Sequence, residues 1–160
     1  MHRGSTIMLR VTVFLIGFAI LLLCVLGLPK IALNISREHM EEALWFYPAL
    51  IGMYAAAVPF YMALFQVFRL LNFIDKNQAF SVCSVKSLRK IKFCAITISL
   101  IYTILMPFLY FIGVKEDAPG VILMGLIFIF ASLVIAVFTA VLQKILQSAI
   151  DIKLENDLTV

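Results

Sequence analysis

Four stretches of this chain contain no Asp, Glu, Lys, Arg or His and are each long enough to cross a bilayer: Val11–Pro29, Ala43–Phe68, Phe93–Val114 and Ala118–Gln143. A membrane helix needs about 20 apolar residues to cover a hydrocarbon core of roughly 30 Å. Hydrocarbon offers no partner to a backbone amide, so such segments must be helical. The expectation is an all-α polytopic membrane protein, with four transmembrane helices in one bundle forming a single membrane domain over residues 1–160. Composition agrees: 64% of residues are hydrophobic and 14% charged, against about 25% charged in soluble domains.

The charges predict an orientation. Arg3 and Arg10 precede the first run, and Arg69, Lys76, Lys86, Arg89, Lys90 and Lys92 fill the middle connection. Lys144 and Lys153 follow the last run, whereas Lys30, Arg37 and Lys115 are the only basic residues of the other two connections. Lys and Arg near span ends favour the cytoplasm. Both termini, the basic loop 69–92 and the tail 144–160 are therefore expected inside a bacterial cytoplasmic (inner) membrane. Glu38, Glu41, Glu42, Glu116 and Asp117 then lie outside.

The first run is read as a retained helix, because a cleaved signal has an apolar core of about 7–15 residues and this one continues to Leu28-Pro29-Lys30. Leu21-Leu22-Leu23-Cys24 departs from a lipoprotein signal at the bulky Leu23. Cys24, Cys83 and Cys94 contain no C-x-x-C pair, and Cys83 falls on the expected reducing side, where thiols stay free. Asn34-Ile35-Ser36 is a formal glycosylation sequon close to the expected outer surface.

Within the spans, Gly52 and Ala56 have the small-xxx-small spacing that lets helices approach closely in lipid. The same face serves packing within a bundle or an oligomer. Pro59 and Pro107 each remove a helical hydrogen bond and predict kinks. Gly52, Ala56, Pro59 and Pro107 are the candidate helix-packing positions.

The middle connection carries most of the polar pattern. The apolar periodicity of span two continues through Phe68, Leu71 and Phe73-Ile74, is broken by Asp75-Lys76-Asn77-Gln78, and resumes after Phe80-Ser81. Ser81 is placed to cap a helix with an apolar face of Val85, Leu88 and Ile91 that runs into span three. At the C-terminus Leu142, Ile145, Ala149 and Ile152 repeat at three- and four-residue intervals, so span four should extend two to three turns past the bilayer.

Catalytic and cofactor chemistry find little support. His2 and His39 lie outside the spans, which removes axial ligands for a bundle haem. His39 with Glu38, Glu41 and Glu42 reads as a solvated acidic loop rather than a metal site. The spans lack the buried carboxylate that a proton-coupled carrier uses. No nucleophile–base pair or glycine-rich phosphate loop is visible, so the expectation is a non-enzyme without cofactor. The basic segment Lys86–Lys92 suits anionic headgroups, with about 1 kcal/mol per charge near the surface. Membrane lipid is thus an expected partner, and direct nucleic-acid binding is not expected.

Several landmarks occur together in order: Arg3-Gly4-Ser5-Thr6 before Leu9-Arg10, Leu28-Pro29, Ile74-Asp75-Lys76, Phe80-Ser81, and Leu88-Arg89-Lys90-Ile91-Lys92. Asp117-Ala118-Pro119-Gly120 and the ending Ile152-Lys153-Leu154-Glu155-Asn156-Asp157-Leu158-Thr159-Val160 complete the series. On these landmarks the chain resembles, over nearly its whole length, the uncharacterised YoaS-like family of small four-helix bacterial integral membrane proteins. The resemblance implies no catalytic residue. It implies pairing with a small cytoplasmic DNA-binding regulator of helix-turn-helix type, and hence an accessory or regulatory role. The candidate docking residues are Phe80, Ser81, Lys86, Arg89, Lys90, Lys92, Lys153, Glu155, Asn156 and Asp157. The alternative expectation is a transport or antimicrobial-tolerance protein binding a neutral or amphipathic compound in the bundle, near Tyr54, Tyr61, Tyr102 and Pro107.

Overall fold

The four uncharged runs are helical over nearly all of their length. In the computed structural model, residues 3–30, 33, 37 and 43–159 are described. Helix α1 covers Arg3–Leu22 and passes into a π-helical segment, Leu23–Gly27. Helices α2 (Ala43–Asp75), α3 (Val82–Lys115) and α4 (Pro119–Thr159) follow, with no strand among the described residues. Four helices are long and apolar enough to span a membrane. The chain is a multi-pass membrane protein.

The helices assemble in chain order: α1 against α2, α2 against α3, α3 against α4. No other pair makes more than slight contact among the described residues, so the bundle is open and α3 is its hub. One third (33%) of the most apolar window of α3 is buried, against 6% for α1.

The α3–α4 seam has a regular register. On α4 the seam is Gly125, Ile129, Ser132, Ala136, Thr139, Gln143, Leu146 and Ile150, alternating intervals of four and three residues. On α3 the contacts to it run through Tyr102, Met106, Leu109 and Gly113, at the same alternating intervals, whereas Leu105 faces Gly52 of α2. This 3.5-residue repeat is that of left-handed helix pairs. Ser99, Ser132 and Thr139 are buried in it, small residues of the kind that allow close approach where lipid is as apolar as leucine. The ring of Tyr102 stacks on Phe128 at 5.1 Å between centroids.

The two well-defined turns are set by left-handed residues. Asn77 has φ 59° at the end of α2. The Asn77 amide donates to Ile74 O (3.1 Å) and the Gln78 amide to Phe73 O (2.7 Å), which completes a Schellman motif. Asp117, with φ 52°, plays the same part after α3, where the Ala118 amide donates to Gly113 O at 2.9 Å. Asn and Asp tolerate this conformation better than other side chains with a Cβ. Beside the second turn, Trp45 stacks on Phe111 at 4.2 Å and Lys115 Nζ lies 5.0 Å from the Phe111 centroid. Such an amphipathic cluster suits the membrane boundary.

Helices α2, α3 and α4 all extend past their uncharged runs at one end of the bundle, here termed the polar end. It carries Arg10, the 76–81 turn and the far end of α4. The residues Asn34-Ile35-Ser36, Glu38, His39, Glu41 and Glu42 lie outside the described set, as does His2.

Candidate functional site

The polar end gathers the candidate docking residues. Its base is the start of α3. Ser81, with extended backbone (φ −125°, ψ 159°), accepts a hydrogen bond from the Ser84 amide at 3.4 Å and so caps the helix. Ser84 is completely buried, and its hydroxyl donates to Gln78 O at 3.2 Å, tying the turn to the first helical turn. Nothing in the sequence singles out Ser84 or Ser87 as buried, yet both are.

The apolar face Val85–Leu88–Ile91 is buried, together with Ile150 from α4. Cations are thereby turned outward: Lys86, Arg89 and Lys90 are exposed and Lys92 half-buried. Arg89 Cζ and Lys92 Nζ lie 5.8 and 5.2 Å from the centroid of the exposed Phe93 ring. Phe93 opens the third uncharged run, so this cation–aromatic group stands at the edge of the hydrocarbon. Phe80 and Val82 are exposed apolar side chains just beyond it.

The α4 extension contributes Lys153, Glu155, Asn156 and Asp157, all exposed. The Gln147 amide donates to Asp151 at 3.1 Å one turn apart. Helix α4 is a single element to Thr159, but here only Ile150 is buried and Leu146 is half-buried. The stripe legible in the sequence falls beside it: Leu142, Ile145 and Ile152 are exposed, and Ala149 is half-buried. In a helix apolar all round, periodicity alone does not decide which stripe meets a neighbour.

Helix α1 is held to α2 by polar contacts spaced along an antiparallel line. Arg10 donates to Asp75 at 2.6 Å and to Asn72. The Tyr61 hydroxyl donates to Gly17 O (2.9 Å) and the Tyr54 hydroxyl to Cys24 O (2.7 Å). Cys24 O needs that donor. The Leu28 amide bonds Leu23 O in the π-helical segment, and Pro29, next in line, has no amide hydrogen.

The helix-packing positions divide. A Cβ on Gly52 would stand 2.3 Å from Leu105 Cδ2, and Ala56 is buried among Ala49, Tyr102 and Leu105. The small-residue face of α2 is thus filled within the chain. Pro59 is half-buried and Pro107 exposed, and both helices continue through them.

Of the positions named for compound binding, Tyr54 and Tyr61 donate to the α1 side, Tyr102 lies in the core and Pro107 is exposed. An open groove of about 520 Å³ does lie along α2, lined by Ala57, Val58, Tyr61, Met62, Phe65 and Gln66. No group of His, Cys, Asp and Glu able to hold a metal ion occurs among the described residues.

Comparison with known sequences decides the family. The model of DUF2975, a family described as proteins of unknown function, matches residues 30–160. The chain belongs to the DUF2975 family. That match takes in α2, α3 and α4, the helices that bury one another most, and begins after α1. The chain is also 53% identical, over the full length of both proteins, to the uncharacterized membrane protein YoaS of Bacillus subtilis. That similarity includes α1. No solved structure matches it.

Proposed function

We propose that this DUF2975 member is a non-catalytic accessory protein of the bacterial cytoplasmic membrane. Its termini and the 69–92 segment face the cytoplasm, where the polar end docks a small helix-turn-helix regulator and holds or releases it. The observation that carries this reading is the division of labour at the start of α3. One face is buried, while Phe80, Val82, Lys86, Arg89 and Lys90 remain exposed beyond the uncharged run. In water, exposed apolar side chains set among cations are suited to a protein partner. The excess of Lys and Arg at this end supports its cytoplasmic placement. Arg89 and Lys92 around Phe93 suit anionic lipid at the boundary of the same face.

The test is crosslinking from native membranes with a photoreactive residue at Phe80. Capture of a small DNA-binding protein, lost when Lys86, Arg89 and Lys90 are made neutral, supports the reading. Unchanged capture and unchanged target-gene expression in that neutral variant overturn it.

A second reading, transport of or tolerance to a neutral amphipathic compound, draws on the α2 groove, whose lining carries no charge. Unaltered uptake and unaltered peptide sensitivity in a deletion strain would remove it.

A further inference from the structure

The groove along α2 ends at a charge. Val58, Met62 and Phe65 line it, and Arg69 follows them in the same alternation of four and three residues. At about 100° per residue, these four side chains leave the helix within a sector of roughly 60°. All four are exposed. Val58, Met62 and Phe65 belong to the second uncharged run and so lie in hydrocarbon, and Arg69 is the first charge after it.

What covers the groove follows from that placement. Within the bilayer, an open apolar groove of about 520 Å³ is filled by acyl chain. From Val58 to Arg69 the helix rises about 16 Å, close to half of a hydrocarbon core of roughly 30 Å. The groove therefore runs from mid-bilayer to headgroup depth, which is the path of a single lipid tail.

The polar groups at its outer end select the headgroup. Gln66 lines the groove one turn before Arg69, at the depth of phospholipid ester oxygens, and its Oε1 has no partner among the described residues. The Arg69 guanidinium extends toward the polar end, with Cζ 6.0 Å from the Phe73 ring centroid one turn further on. Asp75, the only carboxylate of the 69–92 segment, is taken by Arg10, and Arg69 makes no ion pair among the described residues. On α3, Gly52 meets Leu105 and Trp45 meets Phe111, a register that sets Arg69 level with the turn carrying Lys86, Arg89 and Lys90. A headgroup of net negative charge answers these cations, and a zwitterionic one does not.

We propose that the α2 groove binds one anionic diacyl phospholipid from the leaflet at the polar end. One acyl chain lies along Val58, Met62 and Phe65, the Gln66 amide donates to an ester oxygen, and Arg69 holds the phosphate. The site does not involve the protein docked at Phe80. It gives the groove an anionic lipid in place of the neutral compound of the second reading, and unaltered uptake in a deletion strain would leave it standing.

The experiment uses the full chain in phosphatidylcholine vesicles that carry an equal share of brominated phosphatidylglycerol or brominated phosphatidylcholine, whose bromines quench a nearby indole. Trp45→Phe removes the one native indole, and Phe65→Trp or Phe138→Trp supplies the reporter. Phe138 is exposed on α4 at a similar depth, away from the groove. At position 65 the anionic lipid is expected to be preferred roughly fivefold, the equivalent of about 1 kcal/mol for one cation at an anionic surface. At position 138 the two lipids should quench alike. Arg69→Gln should abolish the preference at 65, and Arg69→Lys, which keeps the charge, should retain part of it. No preference at 65, an equal preference at 138, or a preference undiminished by Arg69→Gln overturns the proposal.

Discussion

The hydroxyl of Tyr54 lies 2.7 Å from the carbonyl oxygen of Cys24, a group that the backbone of α1 leaves without a donor. The cause is local. The π-helical segment diverts the Leu28 amide to Leu23 O, and Pro29 supplies none. An unsatisfied carbonyl is costly in hydrocarbon, so a phenol from the next helix secures both the irregular turn and the weakly buried α1. Removing the hydroxyl with Tyr54→Phe is expected to lower stability by about 1–2 kcal/mol in detergent unfolding. In Pro29→Ala, which restores an amide hydrogen at that point, the same change is expected to cost clearly less. Equal costs in the two backgrounds would show that the carbonyl does not depend on Tyr54.

Gly52 offers a test of steric fit. Its Cα faces Leu105 so closely that an added methyl must displace that side chain. Gly52→Ala is expected to destabilise the chain by about 1–3 kcal/mol. Combining it with Leu105→Ala should recover part of that loss, so that the double variant is less damaged than the sum of the singles. Strict additivity in a thermal-unfolding comparison would separate the two residues.

Gln143 sits in the α3–α4 seam with its Oε1 buried and no protein hydrogen-bond partner. Its amide is therefore a cost within the contact. Gln143→Leu is expected to leave stability unchanged or raise it by up to about 1 kcal/mol. A loss of more than that, measured by denaturant titration, would show that the amide is satisfied in the folded protein.

The Arg10–Asp75 pair is partly exposed on both sides. Pairs of this kind contribute about 0–1 kcal/mol, so Arg10→Gln should scarcely alter global unfolding. Its effect should be local. With the α1–α2 anchor at the polar end removed, backbone exchange of hydrogen for deuterium is expected to rise over the first turns of α1 and to stay constant in α3. A uniform rise throughout would mean that α1 and the remaining helices unfold as one unit.

The start of α3 shows how far residue types can be read before any contact is known. Ser81 as cap, and Val85, Leu88 and Ile91 as an apolar face, follow from local chemistry, since a cap needs only its own amides and the stripe changes abruptly from polar to apolar. Ser84 could not be recognised in the same way. Its hydroxyl reaches back to the Gln78 carbonyl of the preceding turn, and its complete burial is a property of the folded chain. Tyr54 and Tyr61 likewise look like ordinary membrane tyrosines until α1 lies beside them.

The sequence by itself determined that four segments are long and apolar enough to span a membrane, and that charge collects at one end. The bilayer is the reason: it reads length and charge residue by residue, and both are written along the chain. Only the tertiary structure decided which face of each helix is used. Helix α4 is apolar on every side within its span, so hydrophobicity gives no preference between the stripe that meets α3 and the one left outside. Shape made that choice, through Ser132, Ala136 and Thr139 fitting against the side chains of α3, because between helices in lipid close contact replaces the escape from water as the driving force.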